Sequence, residues 1–123
     1  MLPIAFHITD WKEVPTTEHR GESGVATWRT LTYNDLRIRM VEYSPGYIAD
    51  HWCEKGHILF CLEGSMTTEL KDGAIFELTA GMSYEVSDGM SSHRSFTETG
   101  AKLFIVDGRF LKYEKTRLVW SHL

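Results

Sequence analysis

Long apolar segments are absent from this 123-residue sequence. No run approaches the roughly 20 apolar residues that a helix needs to cross a bilayer, so we expect no membrane partner. The first residues, MLPIAFHITDW, lack the basic start and the long apolar core of a secretory signal. We therefore expect a cytoplasmic protein.

A strong excess of charge is also missing. Lysine and arginine number 13 against 17 acidic residues, for a formal net charge of −4. Nucleic-acid-binding domains normally carry a basic patch, so we expect no nucleic-acid partner. The sequence also lacks a glycine-rich phosphate loop and a G-x-S-x-G motif, which removes the usual signs of a nucleotide site or a serine hydrolase.

Cysteine is scarce, with Cys53 and Cys61 as the two examples. In a reducing compartment cysteines bind metals or react more often than they form disulfides, so we expect no disulfide between them. The length of 123 residues suits one domain, residues 1–123, with a real core.

Strand patterns recur along the chain, whereas helical periodicity is rare. Apolar and polar residues alternate over 36–43, and the short apolar run over 57–64 predicts a strand buried on both faces. Two further segments, 65–78 and 93–107, read as hairpins, the first with Asp72-Gly73 at its turn. Short strands separated by turns predict an all-β sandwich or barrel.

The two ends of the chain extend beyond these strands. In residues 1–35 we expect a polar loop, PTTEHRGESG, followed by VATWRTL as an extra edge strand. The tail, residues 108–123, reads as an edge strand with a frayed end, or as a segment that docks on a second subunit because exposed aromatic residues need cover.

The segment DHWCEKGH, residues 50–57, concentrates possible metal ligands. His51 and Cys53 would face the same way on one strand, and His57 would begin the next strand, pairing back beside them. His93 follows a glycine turn and could supply a fourth donor. Imidazole and thiolate bind divalent transition metals, although each of these residues alone could also serve packing.

Residues 46–64 resemble the first motif of the cupins, G-x5-H-x-H-x3–4-E-x6-G. His51 has one residue fewer before it, Cys53 takes the place of the second histidine, and His57 takes the place of the glutamate. More narrowly, the chain resembles the small single-domain cupins named after an Asp-His-Cys-Trp motif.

The second cupin motif, G-x5-P-x-G-x2-H-x3-N, is matched more loosely by residues 81–97. Ser87 replaces the proline, His93 lies one position late and Thr97 replaces the asparagine. The resemblance covers residues 36–107. It implies a single cupin domain folded as a double-stranded β-helix, or jelly-roll barrel, in which the termini pack on the barrel or on the partner of a homodimer.

Carried over by position, the resemblance implies a metal held by His51, Cys53, His57 and His93. This set is softer than the usual three histidines and one glutamate, so we expect one divalent transition metal, zinc or iron ahead of copper or nickel. Three arrangements stay open: four ligands with an open position, four ligands in a closed shell, or three histidines with Cys53 as a nearby free thiol.

Two functions follow from these arrangements. An open site would serve an enzyme of the isomerase, lyase or dioxygenase type acting on a small polar molecule. A closed site would serve a non-catalytic module that binds or senses a metal or a small-molecule ligand.

The surroundings of the site give weaker expectations. Alternation places Tyr47 and Ala49 on the face of the ligands, and Cys61 as a buried apolar residue. We expect Arg37 and Arg39 to face solvent or pair with the N-terminal segment, the alternative being a clamp for a substrate carboxylate. The remaining pocket candidates are Glu42, Tyr84 and Ser95. Trp52 would point away from the ligands, as core or interface filler.

Overall fold

The computed structural model describes residues 3–112, which form an all-β structure with two short 3-10 helices, Trp11–Glu13 and Arg109–Leu111. Its strands are β1 (Thr16–Arg20), β2 (Val25–Tyr33), β3 (Leu36–Tyr43), β4 (His57–Leu70), β5 (Ile75–Thr79), β6 (Ser83–Val86), β7 (His93–Phe96) and β8 (Ala101–Gly108). Neither helix of this part of the chain is long and apolar enough to cross a membrane.

Two antiparallel sheets share strand β4. Its first half lies in the sheet of order β1-β2-β3-β8-β4-β6, and its second half lies between β5 and β7. The strand changes register between Cys61 and Glu63. Gly64 follows with a φ of +76°, and a Cβ there would lie 2.2 Å from the carbonyl oxygen of Gly100, so only glycine fits this bend. The predicted all-β jelly roll is confirmed.

The core lies between the two sheets. Inward-facing side chains of β3, β4 and β8 alternate with outward-facing ones, as the pattern of β3 predicts. Each fully buried aliphatic side chain contributes about 1.5–3 kcal/mol to folding. The main core residues are Ala26, Val41, Leu59, Cys61, Met66, Leu78, Leu103 and Ile105.

The N-terminal part differs from its prediction. Thr16–Arg20 is a strand at the sheet edge and not a loop, and Val25–Tyr33 lies inside the sheet between β1 and β3. An exposed edge strand needs no apolar alternation, because pairing with β2 supplies its backbone hydrogen bonds. Before β1, Trp11 packs edge-on against Phe104 at 6.3 Å between ring centroids.

Strand β4 is buried on one face, where two-sided burial was predicted. Its outward side chains Ile58, Phe60 and Leu62 are 39%, 39% and 37% exposed. The strand also continues to Leu70, because the register change lets it pass from one sheet into the other.

The two predicted hairpins have different outcomes. The hairpin over 65–78 is confirmed, since β4 pairs with β5 across a turn in which Gly73 has a φ of +99° and Asp72 accepts a hydrogen bond from the Ala74 amide. The hairpin over 93–107 was wrong, because β7 pairs with β4 in one sheet and β8 pairs with β3 and β4 in the other. The predictions for the tail beyond residue 112 lie outside the described residues.

Candidate metal centre

The segment before β4 is irregular, where a strand carrying His51 and Cys53 was predicted. Cys53 is instead anchored to the start of β7. Its amide donates to the carbonyl oxygen of His93 at 2.8 Å, and the His93 amide donates to the carbonyl oxygen of Cys53 at 2.9 Å. This pairing brings a residue of the first motif beside a residue of the second.

His57 reaches the same place from a different strand. As the first residue of β4 it pairs with Val86 of β6, so the predicted pairing back onto the preceding segment does not form. The residue just before β4 must be glycine for the chain to pass this close to β6, because a Cβ on Gly56 would lie 2.4 Å from the carbonyl oxygen of Val86. The Gly56 amide donates to the Asp88 carboxylate at 2.6 Å.

Cys53, His57 and His93 form a compact donor cluster, with their ligand atoms all within 4.8 Å of one another. The Cys53 Sγ lies 3.7 Å from the His57 Nε2. Two ligands of a tetrahedral zinc ion, one nitrogen and one sulfur, lie about 3.6 Å apart when bond lengths are typical. Within the part of the chain that the structure describes, the His93 Nε2 is buried and has no hydrogen-bond partner, so it is available as a ligand. The three residues fit a metal ion.

His51 lies outside this cluster. Its side chain is 74% exposed at the rim of the adjoining cavity, and its Nδ1 lies 2.6 Å from the carboxylate of Asp50, which is also exposed. The structure therefore brings together three of the four residues predicted as ligands. Metal ligation itself stays a prediction for all four.

Asp107 orients His57. The His57 Nδ1 lies 3.1 Å from Asp107 Oδ2, and an ionised carboxylate can only accept, so Nδ1 carries the proton and Nε2 offers its lone pair to the cluster. Burial would raise the pKa of Asp107, but hydrogen bonds from His57 and Arg37 and the charges of Arg37 and Arg39 hold that pKa well below its usual range. Asp107 therefore holds the His57 imidazole in the tautomer and orientation that a metal ligand requires.

The Cys53 sulfur favours its thiolate form. Hydrogen bonding with His57 and interaction with His93 lower the pKa of the thiol to about 5, against the opposing effect of partial burial. A thiolate is the form that binds metals.

Arg37 and Arg39 differ from their prediction, because both face the interior cavity and pair with Asp107. Arg39 is only 4% exposed and Asp107 only 1%. The role of Asp107 was not predicted from the sequence, although the alternation of β8 indicates a buried acid at this position. Asp107 lies two residues after the apolar Ile105 on an alternating strand, which puts an acid on the buried face, where it needs a cationic partner.

The donor cluster opens on a cavity of about 290 Å³. Two weaker pocket candidates, Tyr84 and Ser95, line it, whereas Glu42 is exposed elsewhere. Cys61 is fully buried in the core, and both cysteines are free, as predicted. The residues along the cavity walls are Trp28, Arg37, Arg39, Val41, Tyr43, Tyr47, Ala49, His51, Cys53, Lys55, His57, Leu59, Tyr84, His93, Arg94, Ser95 and Ile105.

Trp52 is half-buried and does not line this cavity. Its ring lies under two cations, the Lys71 ammonium at 4.5 Å and the Arg94 guanidinium at 5.0 Å from the ring centroid. The indole therefore packs outside the site, where cation–π contacts fix it.

Several solved structures share this architecture. An RmlC-like cupin from Shewanella frigidimarina has a TM-score of 0.65 and 21% identity, over 85% of this chain and 91% of its own. A sugar phosphate isomerase of a cupin superfamily from Silicibacter pomeroyi has a TM-score of 0.65 and 15% identity, over 84% and 76%. Fe(II)-HppE, solved with an alternative substrate, has a TM-score of 0.67 and 18% identity, over 83% and 60%.

No family model matches the sequence, and no curated protein matches it either. The likeness therefore lies in the structure. It agrees with the two motif segments, which meet in space where Cys53 of the first pairs with His93 of the second. The chain has the cupin fold.

Proposed function

We propose that this protein is a metal-dependent enzyme that acts on a small polar molecule, with the metal held by Cys53, His57 and His93. The observation that carries the proposal is the cluster of three donor atoms within 4.8 Å of one another at the wall of an open cavity. A purely structural metal site needs no such cavity.

The number and kind of donors set the expected metal and its role. Three protein ligands leave a position for water or substrate, as catalytic zinc sites do. Two imidazoles and a thiolate suit zinc or iron(II), with copper or nickel as the next candidates. When bound, such a metal supplies Lewis acidity that polarises an oxygen atom of the substrate.

Proteins of similar fold support a catalytic role. Among the structural neighbours are a sugar phosphate isomerase and Fe(II)-HppE, the second with a bound metal and a substrate. One fold hosts many functions, so the donor cluster of this chain, and not its fold, is the main support for a catalytic metal.

Elemental analysis of protein purified without a metal-affinity tag, followed by X-ray absorption at the edge of the metal found, tests the proposal. We expect one equivalent of metal with two imidazole nitrogens, one sulfur and at least one exchangeable water. Zinc with three nitrogens, one sulfur and no water would contradict the enzyme and favour the alternative, a closed binding or sensing site that recruits His51. Metal-free protein that takes up no metal would contradict both.

We also propose that the protein is a homodimer that works in the cytoplasm. The dimer is supported by the outward row of Ile58, Phe60 and Leu62, because a contiguous apolar row on a sheet gains from burial against a second copy. Light scattering should give twice the chain mass, and Phe60→Glu should give the monomer. The control Phe76→Glu changes an exposed phenylalanine of the other sheet. A monomeric wild type would contradict the dimer.

A further inference from the structure

One wall of the cavity carries a surplus of positive charge. Arg37 and Arg39 follow each other on the inward face of β3, and Lys55 stands at the rim. In the described part of the chain, no aspartate or glutamate lines this cavity. Its surface therefore favours an anionic occupant.

The two guanidiniums share a single carboxylate. Arg37 donates from Nε and Nη2 to the two oxygens of Asp107 at 2.9 and 3.0 Å, and Arg39 donates from Nη2 at 2.9 Å. Two positive charges thus meet one negative charge, which leaves one positive charge in excess at the Arg37–Arg39 end of the cavity. The Arg37 side chain is 31% exposed at this end, so the excess charge is open to a ligand carboxylate, which would gain charge-assisted hydrogen bonds there.

Arg39 also keeps an unused donor. Its side chain is 5% exposed, and its Nε is buried and has no hydrogen-bond partner among the described residues, 3–112. The Trp28 ring lies 4.3 Å from the Arg39 guanidinium carbon, so the indole and Asp107 together fix the plane of this group. A fixed donor without an acceptor costs free energy until a ligand supplies one.

We propose that the Arg37–Arg39 end of the cavity binds the carboxylate of a small organic anion. A planar carboxylate matches the guanidinium fork and brings one negative charge, which equals the excess at this end. A second oxygen of the same molecule would then lie toward Cys53, His57 and His93, on the same cavity. The inference rests on the proposed function and deepens it, since it names the class of substrate.

Binding of malonate to the metal-free protein tests this subsite independently of the metal. The readout is the Arg39 Nε–H signal in a proton–nitrogen NMR spectrum, identified by its loss in Arg39→Lys. We expect malonate to shift the signal saturably and malonamide, its uncharged analogue, to leave it in place. No saturable shift, an equal shift with malonamide, or a response to inorganic phosphate alone would overturn the proposal.

A pair of arginine variants sharpens the same test. Arg37→Gln removes the more exposed guanidinium and leaves the buried Arg39–Asp107 pair to hold the fold. It should weaken malonate binding about tenfold or more, because a charge-assisted hydrogen bond is lost. The control Arg20→Gln changes an exposed arginine at the end of β1 and should bind like the wild type. Equal affinity in Arg37→Gln would remove the arginines from the subsite. All these measurements use metal-free protein. A failure of the proposed metal site would therefore not affect them, and the two proposals can fail separately.

Discussion

Two histidines of the same short segment face carboxylates in opposite environments. His57 and Asp107 lie 3.1 Å apart with side chains 10% and 1% exposed, whereas His51 and Asp50 lie 2.6 Å apart with side chains 74% and 57% exposed. Water and salt screen the second pair, so it fixes its imidazole weakly. The comparison shows that burial and a supporting network, more than spacing in the sequence, prepare a histidine as a ligand.

The largest expected effect comes from breaking the buried pair. Asp107→Asn leaves Arg37 and Arg39 without their carboxylate, so it should lower the free energy of unfolding by about 3 kcal/mol or more. Urea denaturation of the metal-free protein measures this. The matched variant Asp50→Asn should leave the urea midpoint unchanged, and an equal loss in both variants would erase the distinction between the two pairs.

Acid should reduce the difference in the free energy of unfolding between the wild type and Asp107→Asn. The pKa of Asp107 is depressed in the folded state, so the unfolded chain binds more protons in acid and stability falls as the pH drops below about 4. At pH 3 the gap between the wild type and Asp107→Asn should be smaller than at pH 6 by about 1 kcal/mol. Urea midpoints at the two pH values provide the measurement. A gap of constant size would mean that Asp107 titrates alike in both states.

A third change alters the donor set at the buried centre. Cys53→Ser replaces a soft thiolate by a harder oxygen, so the preference for zinc over manganese should fall about tenfold. Competition between the two metals, followed by elemental analysis, gives the ratio. An unchanged ratio would show that the sulfur is not a ligand.

The smallest effect is expected at the second cysteine. Cys61 is fully buried in the core and absent from the donor cluster. Cys61→Ala should leave metal stoichiometry unchanged and cost about 1 kcal/mol of stability through lost packing. Loss of the metal in this variant would contradict the placement of the Cys61 side chain in the core, away from the donor cluster.

Local patterns in the sequence predicted much of the fold. Strand β3 has the predicted bounds, Leu36–Tyr43, because alternation is a short-range signal. His57 begins a strand, as predicted, because glycine ends the preceding turn. Long-range pairing was harder to predict. The partners of β7 and β8 depend on which sheet each strand joins, which no local pattern encodes.

The candidate site was predicted in part for the same reason. Cys53, His57 and His93 were found from their chemistry and spacing, and they lie together. The exposure of His51 follows from the irregular path of the chain before β4, which alternation could not predict. The role of Asp107 depends on a contact with His57 across 50 residues, between strands that are not neighbours in sequence.

Metal affinity of two histidine variants tests the central claim most directly. Zinc binding by His57→Ala and His51→Ala is compared with the wild type by competition with a chelating dye. We predict a loss of at least about tenfold for His57→Ala and a change of less than about threefold for His51→Ala. A large loss in His51→Ala together with wild-type affinity in His57→Ala would contradict the claim that the buried, Asp107-supported histidine holds the metal.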